Sequence, residues 1–384
     1  MKLLHTSDLH IGKSLLDYDL LEDQRYIFDR IIDIAKEQEV DALLIAGDVY
    51  DKAVPSEGAV RLLDNFLKKL KDEHIKTFII SGNHDSDDRL NFASKFLSDS
   101  DIYIAAKYNG ELDKYVLNDE YGDLNIYMLP YIKASTVKHF HKDADIENYE
   151  DAVRCVFDKD GVDSSVRNVI LSHQFVAGKS HPTLSGSESP SVTHVGNVEV
   201  IGYDVFDAFD YVALGHIHSL QRVGRDEVRY SGSPLKYSLS EVNDDKSVTL
   251  ITLKDKGDVD LEYIPLKPLR EMRHIKGELK NLIANVDEDT VDDYIYITLT
   301  DEDVIDDAMG VIRNYYNRPV KLDYDNSRSK DISFEDVELK TESKPITDIL
   351  GEFYNKMYGV DISEDEMKIF KEVAMKAGVI NEAD

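Results

Sequence analysis

The chain is poor in cysteine, in long apolar runs and in basic residues. A single cysteine, Cys155, among 384 residues excludes an intramolecular disulfide and a Cys-based zinc site. No stretch of 18 or more apolar residues occurs, so no membrane-spanning helix is expected. The start, Met1-Lys2-Leu3-Leu4-His5-Thr6-Ser7-Asp8, turns polar too early for a signal peptide, so a cytoplasmic protein with no membrane partner is expected. Lys and Arg number 45 against 76 Asp and Glu, a formal charge of −31. Phosphate contacts need local cations, so this balance lowers the expectation of a nucleic-acid partner without removing it, because the local field decides binding. The acidity is also uneven. Residues 271–384 hold 28 acidic against 14 basic residues, and the remaining −17 is spread over the first 270. What is present, 42% hydrophobic and 32% charged residues, describes a globular chain long enough for two or three domains.

Five short polar blocks punctuate the first 220 residues: Asp8-Leu9-His10, Gly47-Asp48, Gly82-Asn83-His84-Asp85, Ser172-His173 and Gly215-His216-Ile217-His218. Each closely follows an apolar, strand-like run: Leu3-Leu4 and residues 42–46, 77–80, 169–171 and 211–214. Five strands would then deliver carboxylate, amide or imidazole groups at their carboxyl ends, where α/β sheets bind ligands. The donors are oxygen and imidazole without thiolate, a set suited to Mn²⁺, Mg²⁺ or Fe.

Apolar spacing predicts amphipathic helices over 22–34, 57–70 and 89–97 and a further helix over 148–157. Residues 115–117 and 124–129 read as a hairpin. The Ser-, Gly- and Pro-rich stretch 178–197 reads as a long loop. Strands return at 211–214, 228–230, 247–253 and 259–263. This α/β mixture fits a two-sheet β-sandwich flanked by helices better than one parallel sheet. Pro265 to Pro268 marks a boundary at the end of a 1–265 domain. Beyond it, strand (270–275), helix (279–286), strand (294–299), helix (304–316) and strand (320–324) make a small α+β domain, 266–330. Residues 326–343 read as a polar linker. The segment 344–384 offers two helices, one with Ile346, Ile349, Leu350, Phe353 and Met357 on a face before Gly359. The other opens with a Ser363/Glu366 capping box and carries Met367, Phe370, Val373 and Ala377. Such faces either pack back on the domain or dock on a partner helix.

Two divalent ions about 3.5–4 Å apart stabilise both the attacking and the leaving oxygen of a displacement at phosphorus. Asp48 is the natural bridging carboxylate. Asp8 and His10, at i and i+2, can reach one ion, as can His218; Asn83, His173 and His216 suit the other, with Asp48 shared. Two carboxylates against two divalent cations leave net positive charge for an anionic phosphodiester. His84 would point towards substrate as an acid or a charge stabiliser, with Asp85 orienting it. The other histidines, His5, His74, His139, His141, His181, His194 and His274, read as structural or merely exposed.

The blocks Asp-x-His, Gly-Asp, Gly-Asn-His-Asp, Ser-His and Gly-His-x-His, in that order, resemble the calcineurin-like metallophosphoesterase superfamily over roughly residues 1–265. Within it, residues 6–12, Ala46-Gly47-Asp48-Val49-Tyr50-Asp51 and 231–238, with the added domain and tail, resemble the SbcD family of nuclease subunits of bacterial SbcCD complexes. The resemblance implies a Mn²⁺-dependent phosphodiesterase acting on DNA ends and hairpins, as exonuclease and single-strand endonuclease, in DNA repair, recombination and replication. It implies a homodimer and an SMC-like coiled-coil ATPase partner. Residues 266–330 would be a capping domain and 344–384 the ATPase-docking segment. Archaeal and eukaryotic relatives carry a histidine where this chain has Asp51, so that histidine's role does not carry over.

Two other functions compete with the nuclease. One is a phosphoesterase for nucleotides or cyclic nucleotides, which would need neither the extra domain nor the tail. The other is a non-catalytic scaffold for an ATPase, which would have no reason to keep so many donors. Candidates for DNA contact are Lys133, Lys179, Arg222, Arg225 and Lys236; Arg89 reads as a surface helix position.

Overall fold

The computed structural model of the protein describes residues 1–178, 182–184, 200–303, 305–326, 351, 354 and 362–376. Two compact units emerge. The first comprises Met1–His274, Glu288–Tyr296 and Tyr316–Val320; the second comprises Ile275–Asp287, Ile297–Tyr315 and Lys321–Asp384.

Twelve strands build the two main sheets of the first unit: β1 (Lys2–Thr6), β2 (Ala42–Ala46), β3 (Lys76–Ile80), β4 (Ile102–Ala105), β5 (Asp113–Asp119), β6 (Gly122–Leu129), β7 (Arg167–Ser172), β8 (Tyr211–Leu214), β9 (Gln221–Val223), β10 (Arg225–Tyr230), β11 (Ser247–Leu253) and β12 (Val259–Pro265). They form two six-stranded sheets, in the orders β12-β11-β1-β2-β3-β4 and β9-β10-β8-β7-β6-β5. In the first sheet β1 to β4 run parallel, β11 pairs antiparallel with β1, and β12 pairs antiparallel with β11. In the second, β6, β7, β8 and β10 run parallel, with the hairpin partners β5 and β9 at the edges.

Alternation along the strands explains the layering. In β2, Leu43 and Ile45 face the helices, while Ala42 and Leu44 join Phe78, Ile126, Leu171 and Tyr211 in the layer between the sheets. A strand buried on both faces reads as a continuous apolar run, as Ala-Leu-Leu-Ile-Ala does. Helices α1 (Leu21–Glu37) and α2 (Glu57–Asp72) cover the first sheet, with Phe28 stacked on Phe66 at 4.9 Å. The Ser56 hydroxyl caps α2 by accepting the Ala59 N–H at 3.2 Å. The helix Tyr149–Asp160 lies on the second sheet; it starts in an Asn148/Asp151 capping box and stops at Gly161 in the left-handed region.

The sandwich matches the expected fold; β4 and β9 are strands the apolar pattern did not announce, and the expected strands and long helices all form but for one. The exception is 89–97. Ala93 sits at φ 63°, and two short turns, Asp87–Leu90 and Ser94–Leu97, replace one helix. Phe92 and Phe96 consequently face solvent, 82% and 80% exposed.

Past β12, the strands Met272–Gly277, Tyr294–Leu299 and Arg318–Tyr324 form a three-stranded sheet with Tyr294–Leu299 in the middle. The helix expected over 304–316 is confined to Ala308–Ile312. In the tail, the helix Glu364–Lys376 carries the expected box, with the Ser363 hydroxyl and backbone N–H both donating to Glu366. The first tail helix, Gly359, Ala377 and most of the 178–197 loop lie outside the described residues. No helix among the described residues is long and apolar enough to cross a membrane.

Candidate metal centre

All five blocks meet at one edge of the sandwich, because β1, β2, β3, β7 and β8 all end there. Cross-sheet bonds hold the edge together: the His173 Nδ1–H donates to the Ala46 carbonyl at 2.7 Å, and the His216 N–H donates to Asp8 at 3.0 Å. Two glycines permit the approach. A Cβ on Gly215 would stand 1.9 Å from the Ala46 carbonyl oxygen, and one on Gly82 would stand 2.1 Å from Asp48 Oδ1. Four of the expected ligands, Asp8, His10, Asp48 and His216, have φ between 42° and 95°. Non-glycine residues adopt that region at a cost of about 1–3 kcal/mol each, and such strain clusters at active sites.

Asp48 lies at the middle. Its Oδ2 is 3.6 Å from His10 Nε2, 3.4 Å from His173 Nε2 and 4.0 Å from His84 Nε2. His10 and His218 meet through their Nε2 atoms at 3.1 Å, and His218 Nε2 is 3.9 Å from Asp8 Oδ1. On the other side, Asn83 Oδ1 lies 3.2 Å from His173 Nε2 and 2.8 Å from His216 Nδ1. Asp8, His10 and His218, and again Asp8, Asp48 and His173, bring their ligand atoms within 4.8 Å of one another. Every expected ligand is therefore in the cluster.

The geometry fits cations. His173 commits its Nδ1 proton to a carbonyl, so its bare Nε2 directs a lone pair at two oxygens, a repulsive arrangement unless positive charge stands between. A proton answers the same need. Burial lowers the His173 imidazole, but Asp48 and Asp8 outweigh it and push it up to about 9. Asp48 is itself raised by burial, yet His173, His10 and His84 hold its carboxyl well below the usual carboxylate range. Burial lowers His10, and burial with the His173 charge lowers His216 to about 3, leaving both neutral and able to ligate.

His84 sits at the mouth with its side chain 29% exposed. Its Nδ1–H donates to the Asp51 carbonyl at 3.1 Å and its backbone N–H to Asp48 Oδ1 at 2.9 Å. Asp85, expected to orient it, is engaged elsewhere. The Asp85 carboxylate is buried and accepts the backbone N–H groups of Val49 (3.0 Å), Tyr50 (2.8 Å) and Gly82 (2.9 Å). No hydrogen bond joins it to His84 among the described residues, so Asp85 clamps two ligand turns together and Asp51 takes the orienting place.

Sequence reasoning missed the polar groups behind the ligands. Ser7 donates to Asp8, the Gln24 amide donates to the His10 carbonyl at 2.8 Å, and the Tyr237 hydroxyl donates to the Leu9 carbonyl. Of the histidines set aside, His5 meets the Tyr211 hydroxyl, His141 meets the Tyr108 hydroxyl, and His274 stacks on Tyr296. Most basic candidates are engaged too. Lys236 binds Glu271 (2.7 Å), Arg222 binds Asp226 (2.7 Å) and Arg225 donates to the Phe209 carbonyl, while Lys133 is exposed and Lys179 lies outside the described residues.

The chain belongs to the calcineurin-like phosphoesterase family, whose model it matches over residues 1–220. With the donors above, that membership defines a metal-dependent phosphoesterase with a dinuclear metal site. A second match, SbcD_C, described as the Type 5 capsule protein repressor C-terminal domain, covers residues 268–358. The two in tandem support the SbcD-like architecture. Among solved structures, the chain is similar to a dimetal phosphatase from Danio rerio (11% identity, TM-score 0.40, covering 70% of this chain and 98% of that one). It is also similar to TT1561 of Thermus thermophilus (13%, 0.38, 68% and 98%) and to Yfce, a phosphoesterase from E. coli (12%, 0.27, 69% and 100%). At these scores the likenesses add nothing to the family assignment.

Proposed function

We propose that this chain is the nuclease subunit of an ATPase–nuclease complex and hydrolyses DNA phosphodiester bonds at double-strand ends and hairpins with Mn²⁺. The observation that carries the reading is the convergence of Asp8, His10, Asp48, Asn83, His173, His216 and His218 around Asp48 Oδ2, followed in the chain by an SbcD_C-type domain. Asp8, His10, Asp48 and His218 would hold one ion; Asp48, Asn83, His173 and His216 would hold the other. Bound there, two divalent cations polarise a phosphoryl oxygen and lower the pKa of water. The residues supply the remainder. The neutral imidazoles and Asn83 keep the pocket from becoming too anionic for a phosphodiester. With Nδ1–H tied to the Asp51 carbonyl, a protonated His84 presents Nε2–H to the mouth and can pass that proton to the departing sugar oxygen.

Residues 266–330 would cap the site. The homodimer is supported by apolar side chains left on the surface: Phe92, Phe96 and Val60, the last 46% exposed on α2. Docking of the ATPase on 344–384 is supported by Ile369 and Val373, 63% and 59% exposed on the tail helix. The deciding experiment is cleavage of hairpin and blunt duplexes with Mn²⁺, Mg²⁺ or chelator, with and without a coiled-coil ATPase partner. Mn²⁺-dependent cleavage of both is expected. Turnover of a model phosphodiester with no cleavage of any duplex end would replace this reading with a small-molecule phosphoesterase.

A further inference from the structure

His10 and His218 face each other through Nε2, and each turns its Nδ1 away from the centre. Behind each Nδ1 lies a carboxylate that a lysine already holds. For His10 it is Asp51, whose Oδ1 is 3.7 Å from Nδ1 and 2.9 Å from Lys13 Nζ. For His218 it is Glu241, whose Oε1 is 3.9 Å from Nδ1 and whose Oε2 takes Lys246 Nζ at 2.5 Å. Glu241 is fully buried, and Lys246 also donates to the His218 carbonyl (3.0 Å) and to Ser233 Oγ (3.1 Å). His10 Nδ1 is buried and has no hydrogen-bond partner. The two sides thus repeat one arrangement, from segments separated by about 200 residues.

We propose that Asp51 and Glu241 are positioning residues that hold His10 and His218 as metal ligands, each held in place by its lysine. The inference rests on the reading that these two histidines bind one of the two ions. An imidazole ligates through a nitrogen that carries no proton, so its one proton must sit on the other nitrogen. A carboxylate facing Nδ1 favours that tautomer, aims the Nε2 lone pair inward and makes the ligand more basic; removing such a partner costs about 10–100-fold in metal affinity. The lysines answer a separate problem, since a carboxylate buried as deeply as Glu241 needs a counter-charge to stay ionised. Asp51 has a second task. Its carbonyl accepts from His84 Nδ1, so one residue sets the orientation of both a ligand and the leaving-group acid. This gives Asp51 a role that the histidine found there in some relatives does not explain.

The test is calorimetric titration of Mn²⁺ into the full-length, metal-stripped protein, paired with ¹⁵N-resolved imidazole spectra that report the tautomers of His10 and His218. Asp51→Ala is expected to weaken one of the two Mn²⁺ sites about 10–100-fold, leave the other within about twofold and shift the His10 tautomer away from Nδ1–H. Asp51→Asn, which keeps an acceptor oxygen, is expected to recover part of the loss. Because Glu241→Gln alone would strand the Lys246 charge, Glu241→Gln is made together with Lys246→Met, and the pair is expected to weaken the same site and to disturb His218. Both ions binding as in the wild type, with unchanged tautomers, in Asp51→Ala and in the paired variant would overturn the proposal. Asp8→Asn separates that failure from another. If it too binds two ions normally, the ligand assignment is at fault rather than the positioning residues.

Discussion

Among single side chains, His84 carries the sharpest expectation. It donates Nδ1–H to a main-chain carbonyl, and its Nε2 lies 4.0 Å from the Asp48 carboxylate. His84→Ala should therefore bind Mn²⁺ as well as the wild type, by calorimetry, while turnover falls about 10²–10⁴-fold. Equal turnover would remove His84 from the chemistry. His5 is the opposite kind of histidine, fully buried against Tyr211, with burial and the Arg229 charge lowering its pKa to about 3. The folded state refuses a proton that the unfolded chain accepts below about pH 6.5, so its contribution is intact above that pH and is lost as pH falls towards 3. Metal-free wild type should lose stability on acidification faster than His5→Gln, by up to about 1.4 kcal/mol per pH unit, read as urea midpoints between pH 6.5 and 5. The contrast between Asp85 and Asp51 shows where residue-level reading ends. A carboxylate beside a histidine in sequence looks the same whether it faces the ring or, like Asp85, gathers three backbone N–H groups from two turns.

At the level of elements, the strand ends were legible and the turns after them were not. Five apolar runs, each closing on a polar block, announce five strands with donors at one edge, because strand burial on both faces leaves a plain record in composition. Backbone strain leaves none, and the positive φ values at Asp8, His10, Asp48 and His216 follow from tertiary contact alone. Ala93 defeated the helix reading of 89–97 for the same reason: apolar spacing continues across a left-handed residue that stops the helix. Glu241 and Lys246 carry no motif and lie beyond the last block. The junction of β2 and β8 is tight enough to test. Gly215→Ala would force a methyl against the Ala46 carbonyl. It should cost about 1–3 kcal/mol of stability, measured by denaturant titration, and weaken Mn²⁺ binding with it.

For the whole molecule, surface and charge set the expectations. On the proposed homodimer, Phe92→Asp combined with Phe96→Asp should shift sedimentation from dimer to monomer while leaving circular dichroism unchanged, since both rings lie on the surface. On the proposed function, deleting 344–384 should abolish binding of a coiled-coil ATPase and leave basal phosphodiesterase activity, and undiminished binding would overturn the proposed docking segment. Each bound ion stabilises only the folded form, by about 2.7 kcal/mol at a hundredfold excess over Kd, so chelation should lower the melting temperature. The donors are divided between the sheets. Asp8, His10, Asp48 and Asn83 follow strands of the first, while His173, His216 and His218 follow strands of the second. A chain growing from its amino terminus has made half of that set long before residue 218 leaves the ribosome. A hydrolytic centre divided in this way stays disarmed until the second sheet has been made and has closed onto the first.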